Sequence, residues 1–178
     1  MVHTKFSREG TKESMITRDE CKRIIYEVSD KWENIFNARG ALFLPFESRV
    51  VLEVLYVGAV IDNGGFTYLL EGVFEGDENL QHAIAAFRQI GCEEAANVIA
   101  FVLSHYLLQA GSSSLDVDKR MSALGAAFPK ETIKELDGRF WDLRQEIQQK
   151  LADYVTANKS LLEDQLRINL KNYPPLSQ

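Results

Sequence analysis

Val50-Val51-Leu52-Glu53-Val54-Leu55-Tyr56-Val57-Gly58-Ala59-Val60-Ile61-Asp62-Asn63-Gly64-Gly65-Phe66 is the stretch on which the fold turns. Pro45 and Glu47 precede it as helix-entry residues, because proline fits the first helical turn and a carboxylate suits the positive end of the helix dipole. Val50, Val51, Val54, Leu55, Val57, Ala59, Val60 and Ile61 spread apolar character around most of the helical circumference. A helix apolar on nearly every side belongs in the middle of a protein. Asn63, Gly64 and Gly65 are expected to stop it, glycine taking the left-handed conformation of a helix C-cap without a Cβ penalty.

Outward from this helix the pattern stays helical. Towards the N-terminus, Thr17 and Glu20 have the spacing of a capping box. Cys21, Ile24, Ile25, Val28, Trp32, Ile35 and Phe36 then recur at three- and four-residue steps until Arg39 and Gly40, with Glu27 and Lys31 spaced as an i,i+4 ion pair. Towards the C-terminus, Leu80, Ala83, Ile84, Phe87 and Ile90 predict a helix from Glu78 to Gly91. Ala95 to Leu107 predict its partner in a helical hairpin, and a short helix from about Leu115 to Ala127 follows. After Pro129, Ile133, Leu136, Phe140, Leu143, Ile147, Leu151 and Tyr154 predict one long amphipathic helix, weakest at Gly138. Trp32, Trp141, Phe140 and Tyr154 fall on helical spacing and are read as core. The expectation is an all-α, single compact domain of about seven helices over residues 17–172, behind a flexible N-terminal tail of residues 1–16.

The chain has 178 residues, 46% hydrophobic and 26% charged, and a formal net charge of −6. A chain of this length buries roughly 70% of its unfolded surface, enough for one real core. The acid excess argues against nucleic acid or an anionic membrane as a direct ligand, since both require a basic face. No run approaches the uninterrupted apolar length of a membrane span, and the first residues lack the apolar region of a secretory signal, so the cytoplasm is the expected compartment. The negative charge is concentrated: residues 50–118 carry ten acidic side chains against the single base Arg88, whereas residues 1–49 and 119–178 are slightly basic. Glu53, Asp62, Glu71, Glu75, Asp77, Glu78, Glu93, Glu94, Asp116 and Asp118 make up this block. Many of them are expected at helix ends, where side chains reach solvent.

Groups that could carry chemistry are sparse. Cys92 follows Gly91 at a helix start, where the dipole can activate a thiol, but Glu93 and Glu94 beside it oppose a thiolate. His82 and His105 belong to no two-histidine or Glu-x-x-His metal spacing, and no glycine-rich phosphate loop is present. No catalytic residue, metal site or cofactor is assigned on this reading. A small helical enzyme with a cleft near Cys92 or His105 is the alternative from a different class.

Val60-Ile61-Asp62-Asn63-Gly64-Gly65-Phe66-Thr67-Tyr68, followed by Ala83-Ile84-Ala85-Ala86-Phe87-Arg88-Gln89-Ile90-Gly91-Cys92, resembles the bacterial DNA-mimic-protein-like family. The resemblance is clearest over residues 47–108 and extends to about Asn158. It implies an all-α domain that commonly forms a homodimer. It also implies a family in whose naming member surface carboxylates are arranged like DNA phosphates and occupy the DNA-binding face of a transcription factor. With the acidic block, this leads to an expected non-enzymatic interaction domain that binds a basic protein, such as a DNA-binding regulator, without binding nucleic acid or membrane itself. Glu71, Glu75, Asp77, Glu78, Asp116 and Asp118 are the expected partner contacts, and Asn63, Gly64, Gly65 and Phe66 the structural motif. An immunity-type inhibitor of a basic nuclease is the alternative within the same class.

Overall fold

The computed structural model describes residues 17–71, 80–110 and 117–170, leaving aside the side chains of 107–110 and 117–121. Among these residues the helices are α1 (Arg18–Arg39), α2 (Phe46–Glu71), α3 (Gln81–Gln89), α4 (Glu93–Ala110), α5 (Val117–Ala127), α6 (Lys130–Asp142), α7 (Arg144–Ala157) and α8 (Lys159–Leu166). A 3-10 turn, Ala41–Phe43, joins α1 to α2, and there is no strand. The fold is all-α, with eight helices around one core.

The ends of α1 follow local chemistry. The Thr17 hydroxyl accepts the Glu20 N–H at 3.2 Å, satisfying one of the donors that every helix start leaves open. At the other end Gly40 takes φ 81° and donates its N–H to the Phe36 carbonyl at 2.8 Å. Charge pairing along α1 differs from the expected Glu27–Lys31 contact. Arg23 takes Glu27 at 2.7 Å, and Lys31 reaches across to α8, donating to the Leu166 and Ile168 carbonyls, the latter at 2.6 Å. A lysine that closes a helix C-terminus satisfies otherwise open carbonyls, which a surface ion pair does not.

Helix α2 is the axis of the molecule, packing against α1, α3, α5, α6, α7 and α8. Val51, Val57, Ile61 and Phe66 are fully enclosed. By length and hydropathy it could cross a membrane, yet half of its most apolar window is buried inside the protein, as in a core helix. Its start is held by α8. The Gln165 side-chain oxygen accepts from the Ser48 N–H at 3.1 Å and from the Ser48 hydroxyl at 2.6 Å, while the Gln165 amide donates to Glu47. Glu53 corrects the surface reading of the acidic block: it is 1% exposed, within the apolar body of α2. Like Val50, Val51, Val54 and Val57 around it in the sequence, position 53 is covered by the helices packed on α2.

Three further expectations change. Asn63 to Gly65 do not end α2 but bend it, and the helix resumes at Phe66. Helix α3 starts at Gln81 rather than Glu78, behind Leu80 at a left-handed φ of 49°. The long C-terminal helix is two helices, separated at Leu143 and not at Gly138. Helix α6, with Ile133, Leu136 and Phe140 buried, packs on α2 and α4, whereas α7, with Ile147, Leu151 and Val155 buried, packs chiefly on α1 and less on α2. One straight helix cannot aim a single stripe at both. The Leu143 N–H accordingly closes a tight turn onto the Phe140 carbonyl at 3.1 Å. Trp32, Phe140 and Tyr154 are core as expected, but Trp141 is 42% exposed.

An aromatic junction joins the layers. Phe140 meets Phe66 edge-on at 5.8 Å and Phe87 at 5.9 Å, so α2, α3 and α6 share one contact. Phe140→Ala is expected to cost about 3–5 kcal/mol and to lower the melting temperature by roughly 10 °C. Thermal unfolding followed by circular dichroism measures this, and a shift of about 2 °C would remove the junction from the account of stability.

Candidate functional site

The Asn-Gly-Gly-Phe motif sits at the bend of α2. Gly65 has φ 69° and ψ −166°, and Gly64 before it is also outside helical geometry, so the ladder of helical hydrogen bonds is interrupted here. Helix α6 supplies replacements. The Phe66 N–H donates to Asp137 Oδ1 at 2.7 Å, and Trp141 Nε1–H donates to the Ile61 carbonyl at 3.3 Å. Arg144, the first residue of α7, donates to Asp62 from Nε at 3.1 Å and from a terminal nitrogen at 2.5 Å. Asp137 and Trp141 stand one turn apart on α6, and Arg144 lies just past the break at Leu143, so the end of α6 and the start of α7 together meet the bend.

Gly65 is required twice. A left-handed φ strains any residue with a Cβ, and a Cβ here would lie 2.5 Å from both carboxylate oxygens of Asp137. Asp137 is buried, and this pushes its carboxyl pKa up, with the Phe66 N–H partly opposing the shift. The carboxylate works as an internal anion on the N-terminus of the second half of α2. Sequence reasoning missed all three clamp residues, reading Trp141 as core and assigning no role to Asp137 or Arg144. The available signal was their seven-residue span beside the apolar stripe of α6.

The expected partner-contact carboxylates are only partly placed. Glu71 is exposed at the end of α2. Glu75, Asp77, Glu78 and Asp116 lie outside the described residues, as does the side chain of Asp118. Among other acids of the block, Glu93 and Glu94 stand on the first turn of α4, where the helix dipole favours them. They face Arg88 and Arg139, each at 3.6 Å. Asp62 is held by Arg144.

Cys92 and His105, the groups of the enzyme alternative, are both placed. Cys92 is buried, and desolvation with Glu146 nearby pushes its thiol up to about 11, so it stays protonated at neutral pH. The His105 ring packs against Phe101 at 4.2 Å and Phe128 at 5.5 Å, with Nδ1 2.9 Å from the Phe101 carbonyl oxygen. Among the described residues no group of three or more His, Cys, Asp and Glu side chains could hold a metal ion.

Two outcomes test the clamp. Gly65→Ala is expected to destabilise the fold by about 3 kcal/mol through backbone strain and the displaced carboxylate, measured by urea unfolding; a change within about 0.5 kcal/mol would contradict it. A carboxyl whose folded pKa lies above its unfolded value binds a proton on folding, so its ionisation weakens the folded state as pH rises through that interval. Asp137→Asn keeps an acceptor for Phe66 and removes the ionisation. Wild type is therefore expected to lose stability relative to this variant as pH rises above about 4, and the opposite slope would show that hydrogen bonding outweighs burial.

A profile of the family described as DMP19-like protein matches residues 43–158, an interval that contains α2, the bend and all three clamp residues. No curated protein and no solved structure matches the chain. The matched interval is well over half of the sequence, and the chain belongs to the DMP19-like protein family.

Proposed function

We propose that this chain is a non-enzymatic interaction domain that presents carboxylates in place of DNA phosphates to a basic protein, a DNA-binding regulator being the class of target. The observation that carries this reading is a coincidence: the family match over residues 43–158 contains the segment 50–118, in which ten acids face one base. Carboxylates displayed this way attract a cationic surface at long range and accept charge-assisted hydrogen bonds from Lys and Arg on contact. A homodimer in the cytoplasm belongs to the same proposal, and the two free, buried cysteines suit a reducing compartment.

The ion pairs at the described carboxylates do not oppose this use. Glu93 with Arg88 and Glu94 with Arg139 are long and solvent-exposed on both sides. Pairs of that kind contribute about 0–1 kcal/mol, so a basic partner displaces the internal arginine at little cost. The carboxylate then faces the partner's cation.

Affinity capture from the native lysate tests the proposal, performed at about 0.05 M and about 0.5 M salt, with bound proteins tested for DNA binding. A DNA-binding protein released by salt, competed by duplex DNA and weakened by combined Glu71→Gln, Glu93→Gln and Glu94→Gln substitution is the expected result. Partners held equally at both salt concentrations would overturn it.

A further inference from the structure

Arg49 stands apart from the other arginines placed near carboxylates. Arg23, Arg88, Arg139, Arg144 and Arg167 each lie within 4.0 Å of an acidic side chain. Arg49 is half-buried and has no such neighbour among the described residues. Glu47, two residues earlier, is tied to Gln165 of α8. The Arg49 guanidinium instead lies over the Phe46 ring, 5.2 Å from its centroid. A guanidinium held over a ring keeps N–H donors that can grip a carboxylate with two hydrogen bonds.

Arg49, whose charge is also felt by the Tyr154 hydroxyl, lines a cleft. Phe46, Arg49 and Val50 of α2 form one wall, and His82, Ala85, Ala86 and Gln89 of α3 form the other. The α3 residues follow i, i+3, i+4, i+7 spacing, so one whole stripe of that helix faces the cleft, and alanines at its centre leave the room. The floor is apolar and the polar groups are a guanidinium, an imidazole and an amide. Beside it the α1–α2 corner exposes Leu42 at 61% and Phe46 at 47%, with Arg39 stacked over Phe43 at 4.2 Å.

We propose that this cleft and corner dock an acidic segment of another protein, with a glutamate or aspartate side chain on Arg49 and neighbouring leucine or phenylalanine side chains on Leu42 and Phe46. Charge complementarity selects the occupant: in a chain of net charge −6, the described residues that line the cleft include a cation and no carboxylate. Exposed aromatic rings carrying arginines are the residue types that dominate binding energy at interfaces. This face has the opposite sign to the carboxylate surface, and the proposal stands whether or not that surface mimics DNA.

The probe is a fluorescein-labelled dodecapeptide alternating pairs of glutamate with leucine or phenylalanine, titrated into the full chain and read by anisotropy. Saturable binding is expected, with affinity reduced about tenfold or more by Arg49→Glu and by Ala85→Leu, which fills the cleft from an exposed position. The same peptide with lysine for glutamate is expected not to bind. Equal affinity for Arg49→Glu and wild type, equal affinity for the lysine peptide, or no binding at about millimolar peptide would overturn the proposal. So would a self-association of the chain that Arg49→Glu abolishes in sedimentation velocity, because a second copy would then be the occupant.

Discussion

The hydrogen bond from the Phe66 N–H to the Asp137 carboxylate, at a left-handed Gly65, is the constraint on which the rest of the molecule depends. It converts a single apolar helix of 26 residues into two segments at an angle, and it does so from inside the core, where an unmet N–H has a large desolvation cost. The direction of the second segment places Phe66 against Phe140, and Phe140 against Phe87. Helices α2, α3 and α6 are thereby held in one arrangement, with Trp141 and Arg144 securing the near side of the bend.

The bend lies within the interval that the family profile matches. A glycine with positive φ, a glycine before it outside helical geometry, and a phenylalanine whose amide and ring are both engaged form a backbone device. Such a motif identifies a fold without naming a reaction. The proposed interactions use surfaces that the device positions. Two such surfaces of opposite sign follow: carboxylates at the end of α2 and the start of α4, and a cationic, aromatic cleft between the start of α2 and α3.

Local chemistry was readable from the sequence, and long-range partnership was not. Thr17 and Gly40 declared the limits of α1 because a cap is settled within four residues. The apolar circumference of α2 announced its central place. Gly64 and Gly65 announced a break in the helix, but whether the chain stops or bends there depends on Asp137, 71 residues from Phe66, and nothing near the glycines encodes that carboxylate. Leu143 separates two helices without glycine or proline, because the packing targets of α6 and α7 differ. Glu53 was counted among surface acids although its valine neighbours signal enclosure, and Arg49 was passed over because the cleft it lines is visible only once the chain is folded.

Native-state hydrogen exchange at the Phe66 amide tests the central claim most directly. If the Asp137 bond holds the bend, that amide exchanges only through global unfolding, with a protection free energy equal to that of amides in the buried body of α2 such as Val57. Exchange as rapid as at the exposed ends of the helices would show an open, unsecured bend and would contradict the account.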